Sequence, residues 1–505
     1  MSEKLDQIYD QLKELHREVN LLVSISALVE WDQRCFMPSG GSDHRAEQTS
    51  WLAGKIHKKS TKNKIGELLS ELEAAGIGKG LDPRDVNVRE WRHDFDLRTK
   101  LPQEFVEDLS RTTSLAQDAW VGARKNNDFG AFQPWLEKIV ALKRREADYL
   151  GWKNEPYDAL LDEYEPGAKT EEVAAVLGGL RDQLVPLLKA IKDSPRKPRL
   201  DILHRDYPEA AQEAFSKRVA AAIGFDFNRG RLDVTAHPFC TTIGPNDIRI
   251  TTRFIRDHVN AAFFGVMHEA GHGLYEQNVL AEHKYTPMGE AVSLGIHESQ
   301  SRMWENSVGR SLAFWQYWYP EAQKAFTALK DVSVEDFTFA VNAVEPSFIR
   351  VEADETTYNL HILLRFELER ALLKGDLQAK DVPAAWNEKF KAYFGLDVPD
   401  NANGCLQDIH WSAGLIGYFP TYSLGNLNAA QFFVKATEDL GDLEAMFAKG
   451  QFAPLLGWLR TNVHSHGRRY RSADLTKVVT GKPLDSKPLV DYLKKKAEMW
   501  YGVKG

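Results

Sequence analysis

The sequence has 505 residues, 43% hydrophobic and 27% charged, with 64 Lys and Arg against 72 Asp and Glu. That balance belongs to a soluble globular chain and excludes a mostly disordered one, a collagen-like fibre and a membrane span, and a net charge of −8 offers no footprint for nucleic acid or an anionic membrane. Cys35, Cys240 and Cys405 are too few and too scattered for a disulfide scaffold or a thiolate zinc site, and the opening MSEKLDQIYDQLKEL lacks an apolar secretory core, so a cytoplasmic protein is expected.

From the N-terminus, Ile8, Leu12, Leu15, Val19 and Leu22 recur at three- and four-residue spacing, the pattern of one buried helix face. Similar helical patterns run through 103–150, 170–191, 254–278, 355–374 and 429–460, with 42–77 and 483–500 also helical in character. The stretch Lys192–Pro198, KDSPRKP, is the one candidate flexible connection, and it reads equally well as an ordinary loop. Residues 231–254 break the pattern: they alternate, are rich in β-branched residues and surround Gly244-Pro245-Asn246-Asp247, which predicts two strands joined by a turn. The expected fold is therefore mainly α with a small antiparallel β-sheet just before the helix that carries the chemistry. At this length it is one large domain, 1–505, or two lobes.

That helix holds His268-Glu269-Ala270-Gly271-His272, an HExxH string. Two histidines four apart stand ~6 Å apart along a helix axis and on nearly one face, so both imidazoles can reach one Zn²⁺ at ~2.0–2.1 Å. Glu269 then lies beside the open coordination position, where a carboxylate can take a proton from water and pass it to a leaving amine. Gly265, Gly271 and Gly273 fall in the same helix, each costing ~1 kcal/mol relative to Ala; close approach of another backbone or a ligand explains them better than stability does. The three-His metzincin pattern is excluded because Asn278 stands six residues beyond His272. Glu276 lies ~12 Å along the axis from His268, too far to share one tetrahedral metal with both histidines. A glutamate from a second helix would complete a His₂Glu catalytic set. Spacing favours Glu298 in His297-Glu298-Ser299-Gln300 and leaves Glu290 and Glu305 open.

Other strings carry two readings each. His237, in His237-Pro238-Phe239, is a strand-end cap or a donor to a developing oxyanion. Asp247-Ile248-Arg249-Ile250-Thr251 reads as a half-buried strand with a salt bridge. Arg350 opens a predicted helix after Pro346; it either pairs with Asp354 on the surface or forks onto a carboxylate. His410, Tyr418 and Tyr422 occupy a Gly-rich stretch, as packing groups or substrate donors. His464 and His466 lack a nearby carboxylate or Cys pair and read as structural. Arg468, Arg469 and Arg471 read as a solvated face.

Together these strings resemble the carboxypeptidase Taq family of metallocarboxypeptidases. The resemblance covers most of the chain, from Trp31-Asp32 and Met37–Gln48 through HPF at His237, DIRIT at Asp247, HEAGH at His268, HESQ at His297, IRVEAD at Ile349 and GCLQDIHW ending at Trp411, to HSHG at Gly467. It implies a saddle-like helical fold with a deep central groove, a homodimer, and release of single residues from peptide C-termini with broad specificity and poor cleavage at proline. It implies His268, His272 and Glu298 as metal ligands and Glu269 as general base and acid. Arg350 would bind the substrate carboxylate, and His237, His410, Tyr418 and Tyr422 would contact oxyanion or substrate. Zinc is the expected metal, with cobalt or manganese able to use the same ligands. The rivals are a zinc oligoendopeptidase or dipeptidase of similar build, an aminopeptidase, whose amine-binding string Met303-Trp304-Glu305-Asn306 only faintly resembles, and a binding protein with structural zinc.

Overall fold

Apolar spacing sets the helices of the computed structural model, which describes residues 3–504. In Glu3–Cys35, Ile8, Leu12 and Val19 are buried as the spacing predicts, while Leu15 and Leu22 stay half-buried. Ile8 and Leu12 belong to one core with Ile65, Leu68, Leu69 and Leu72 of helix Asn63–Ala74 and Trp91 of helix Pro83–Thr99. Each such aliphatic side chain, fully buried, contributes roughly 1.5–3 kcal/mol. The longer periodic stretches break where the backbone needs a turn: 103–150 divides at Asn127, which has φ 54°, into Gln103–Lys125 and Phe129–Leu150.

Two compact units result, each assembled from three separate stretches. The first unit comprises the stretch ending at Thr99, Arg199–Val341 and Phe432–Lys482; the second comprises Lys100–Pro198, Asn342–Gln431 and the stretch from Pro483. The segment Lys192–Pro198 ends at a unit boundary, yet it is tied down, with Ser194 buried and its hydroxyl donating to the Tyr501 carbonyl at 2.6 Å. Among the described residues no helix is long and apolar enough to cross a membrane.

The sheet differs from expectation. It has three strands, β1 (Gly230–Val234), β2 (Cys240–Gly244) and β3 (Asp247–Thr252), in the order β1-β3-β2. β2 and β3 form the expected antiparallel hairpin around Asn246, whose φ of 67° suits an asparagine turn residue. β1 pairs parallel with β3, with Leu232 opposite Ile250, so the sheet is mixed rather than antiparallel. The physical reason is the His237-Pro238 break: proline has no N–H for a ladder, and the chain leaves one edge of β3 and re-enters at the other.

Behind the sheet runs the HExxH helix, Val259–Asn278, which starts five residues later than the periodicity indicated. Its glycines admit neighbours. A Cβ on Gly273 would stand 2.6 Å from the Phe225 ring, and one on Gly271 would stand 2.5 Å from the Ser301 Cα. The second contact lets helix Leu294–Arg302 lie backbone to backbone against the HExxH helix, as the glycine argument expects. In the second unit, IRVEAD does not open a helix: Arg350–Glu352 is a single 3₁₀ turn, and the helix begins at Tyr358 after Asp354 accepts from the Thr356 and Thr357 amides.

Candidate active site

The close packing of helices Val259–Asn278 and Leu294–Arg302 brings His268, His272 and Glu298 of the first unit together. Glu298 Oε2 lies 3.5 Å from His268 Nε2 and 3.3 Å from His272 Nε2. Ligand atoms bonded to a tetrahedral zinc at ~2.0–2.1 Å stand roughly 3.3 Å apart, so the triad fits a divalent metal and leaves a fourth position open. It is the one metal-competent group found among the described residues. The alternatives left open by spacing are employed elsewhere: Glu290 pairs with Arg468 at 3.3 Å, and Glu305 pairs with the far nitrogen of His268.

The support is specific. Glu305 Oε2 lies 2.9 Å from His268 Nδ1. That carboxylate requires the proton on Nδ1 and so leaves the Nε2 lone pair for a metal. On the other histidine, His272 Nδ1 contacts His297 Nδ1, His297 Nε2 lies 2.8 Å from Glu276 Oε1, and Thr242 donates to Glu276 Oε2 at 2.9 Å. Glu305 sits on a π-helical turn, Met303–Val308, a distortion frequent at functional sites. Sequence reasoning missed Glu305, Glu276 and Arg302 as a supporting ring. Burial would raise the Glu305 carboxyl, but Arg302, His268 and Arg310 outweigh it and hold it at about 2. Burial lowers His272 to about 3, which keeps the imidazole in the neutral form that metals need.

Glu269 follows His268 on the same helix and is buried, and burial above all, with Glu298 adding to it, raises its carboxyl to about 7. A carboxyl with a proton affinity near neutrality is suited to both accept and return a proton. His237 is exposed in the β1–β2 loop. Its neighbour Pro238 stands 3.9 Å from where a Cβ on Gly265 would lie, so the HPF turn rests on the HExxH helix one turn before His268.

Arg350 belongs to the second unit and is buried, 6% exposed. It does not pair with Asp354. Its Nε and Nη2 donate to Asp408 Oδ1 at 3.1 and 2.8 Å, and Nη1 donates to the Tyr358 hydroxyl at 3.0 Å. Arg365 donates from Nε to the other oxygen, Asp408 Oδ2, at 2.7 Å, so two guanidinium groups converge on one carboxylate. Burial would raise Asp408, but Arg365 and Arg350 hold it well below the usual carboxylate range. Tyr422 lies under Arg350, 5.3 Å from ring to guanidinium, and its hydroxyl is 3.4 Å from His410 Nε2. Tyr418 packs edge-on against Tyr422 at 5.3 Å. The structure thus gathers Arg350, His410, Tyr418 and Tyr422 in one cluster and adds Asp408 and Arg365, which the sequence reading had not singled out.

Two further strings resolve differently. His464 is structural as expected, its Nε2 2.8 Å from Gln300 Oε1. The Arg468 run is not a solvated face: Arg468 reaches Glu90, Asp94 and Glu290, and Arg471 reaches Glu90 at 2.7 Å. Glu90 and Asp94 come from helix Pro83–Thr99, 374 to 381 residues earlier, and Glu290 lies 178 residues before Arg468, so none of these partners can be read from a local charge run.

Comparison with known proteins gives one consistent result. The profile of the carboxypeptidase Taq (M32) metallopeptidase family matches residues 11–497. The chain is 47% identical to thermostable carboxypeptidase 1 of Thermus thermophilus, over 98% of this chain and 99% of that protein. It is 38% identical to carboxypeptidase 1 of Bacillus subtilis, over 94% and 95%. Among solved structures, the M32 carboxypeptidase from Deinococcus radiodurans superposes with a TM-score of 0.95 at 42% identity, covering 98% of this chain and all of that one.

Proposed function

The chain belongs to the carboxypeptidase Taq (M32) metallopeptidase family and is a metallocarboxypeptidase, and on that premise we propose that it removes single residues from peptide C-termini with broad specificity and poor cleavage at proline, using His268, His272 and Glu298 to hold zinc. The observation that carries the site assignment is the spacing of His268 Nε2, His272 Nε2 and Glu298 Oε2. Cobalt or manganese fits the same donors, since two imidazoles and a carboxylate do not discriminate strongly.

When bound, the metal polarises the scissile carbonyl and lowers the pKa of a water toward about 7. The protein's own groups do the rest. Glu269 takes the proton from the attacking water and returns it to the leaving amine, a transfer its near-neutral carboxyl suits. Glu305 and His297 hold the ligand imidazoles in one tautomer. His237 serves as a donor to the developing oxyanion. Arg350 recognises the substrate's terminal carboxylate, with Asp408 fixing the plane of its guanidinium. His410, Tyr418 and Tyr422 contact the same end of the substrate. That recognition makes an exopeptidase of chemistry that an oligoendopeptidase shares.

Free thiols at Cys35, Cys240 and Cys405 support a reducing, cytoplasmic location. A homodimer is supported by Leu21, Ile25 and Leu28, which recur at helical spacing on the N-terminal helix and are all exposed. Metal analysis tests the site: the wild type should carry one divalent ion per chain, and His268→Ala, His272→Ala and Glu298→Ala should each lose it. Retention of the ion in the Glu298→Ala variant at wild-type affinity would move the third ligand elsewhere.

A further inference from the structure

Glu298 has two carboxylate oxygens, and the structure treats them differently. Oε2 is the oxygen turned to the two His Nε2 atoms, and the Ser301 hydroxyl lies 2.9 Å from it. Oε1 is taken by Arg302, whose Nε donates to it at 2.6 Å. Arg302 is the last residue of helix Leu294–Arg302, four beyond Glu298, so helical spacing alone delivers it to the same face. Its Nη1 reaches Glu305 Oε2 at 3.2 Å, the carboxylate that backs His268. One planar guanidinium therefore spans a metal ligand and the group that orients a second ligand.

We propose that Arg302 is a positioning residue that keeps Glu298 a one-oxygen ligand and so keeps coordination positions open for water and the scissile carbonyl. The physical case is a competition. A free carboxylate beside a divalent ion can bind through one oxygen or both. A charge-assisted N–H bond to Oε1 at 2.6 Å opposes the second mode, because binding through both oxygens would break it on a buried carboxylate. A fork with fixed spacing can serve Glu298 and Glu305 together; a single ammonium cannot.

The inference rests on the metal assignment above, and its test separates the two. Wild type, Arg302→Met and Arg302→Lys are stripped, loaded with Co²⁺ and compared by visible absorption, with the unfolding temperature of each metal-free protein measured alongside. The wild type should show the intense visible bands of a low-coordinate cobalt site. In Arg302→Met those bands should fall by about half or more as Glu298 closes onto the ion with both oxygens. Arg302→Lys, which keeps a cation for Oε1, should hold the wild-type bands while losing the tie to Glu305. A merely structural arginine would change the unfolding temperature and leave the cobalt bands unmoved. If Arg302→Met does not fold, Arg302→Gln takes its place, with the same direction expected. Bands identical to wild type in the Met or Gln variant overturn the proposal, as does an equal loss in the Lys variant. A wild type that takes up no cobalt overturns the metal assignment itself.

Discussion

At the scale of single residues, the chemistry concentrates on Glu269. Its carboxyl is buried beside His268, one of the two imidazoles proposed to hold the metal. Glu269→Gln should therefore lose about 10²–10⁴-fold in kcat, the usual worth of a positioned acid–base group, while binding metal and folding as the wild type does. A variant that kept most of its activity would remove Glu269 from the mechanism. The grouping of His268 and His272 was legible because HExxH fixes their local spacing, and Glu298, on a second helix, was reached from the spacing between helices and the family resemblance. The surrounding ring was not. Glu276 and Arg302 sit at ordinary α-helical positions, where charged residues are usually solvated, and the π-helical turn that carries Glu305 has no local sequence signature; the packing of the helices turns all three inward. Arg350 was legible as a carboxylate binder, but its partner Asp408 lies 58 residues away and could not be paired with it from sequence.

At the scale of elements, glycine at 271 is a precondition of the site. A methyl group there would stand 2.5 Å from Ser301 Cα and 2.6 Å from the Gln300 carbonyl oxygen, backbone atoms that cannot rotate away. Gly271→Ala should push helix Leu294–Arg302 outward, cost roughly 1–3 kcal/mol in stability as overpacking does, and weaken metal binding through the displaced Glu298. Chelator competition and denaturant unfolding read the two effects, and an alanine variant with unchanged metal affinity would contradict this packing argument. A second element-level test concerns the N-terminal helix, where His16 stacks on Trp91 at 4.5 Å and burial lowers its pKa to about 4. The unfolded chain takes up this proton below about 6.5 and the folded one does not until about 4, so stability falls as pH drops through that window, by about 3 kcal/mol at most. His16→Phe should gain on the wild type in unfolding temperature as pH is lowered from 7 to 4.5. A constant difference would show that His16 is not held neutral. Helices of this kind were readable because their apolar period is local; the parallel β1–β3 pairing was not, because it depends on where the chain goes after Pro238.

At the scale of the whole molecule, the ordered set of motifs was more informative than any one of them. HExxH alone is shared by peptidases of several specificities. The set as a whole identified the family, and the profile match over residues 11–497 bears that out. What the order of motifs did not reveal is how the chain distributes them. Each compact unit is sewn from three stretches, with His268, His272 and Glu298 in one and the Arg350 cluster in the other. Long-range assembly of that kind leaves no periodic trace in sequence.

The most direct measurement is mass spectrometry of one peptide prepared twice, with a free C-terminus and with a C-terminal amide, each incubated with metal-loaded and chelator-stripped protein. A metal-dependent ladder of single-residue losses from the free end, absent from the amide, is the predicted result. Internal cuts of both peptides, or a ladder that persists after the metal is stripped, would contradict a carboxypeptidase that works through His268, His272, Glu298 and Glu269.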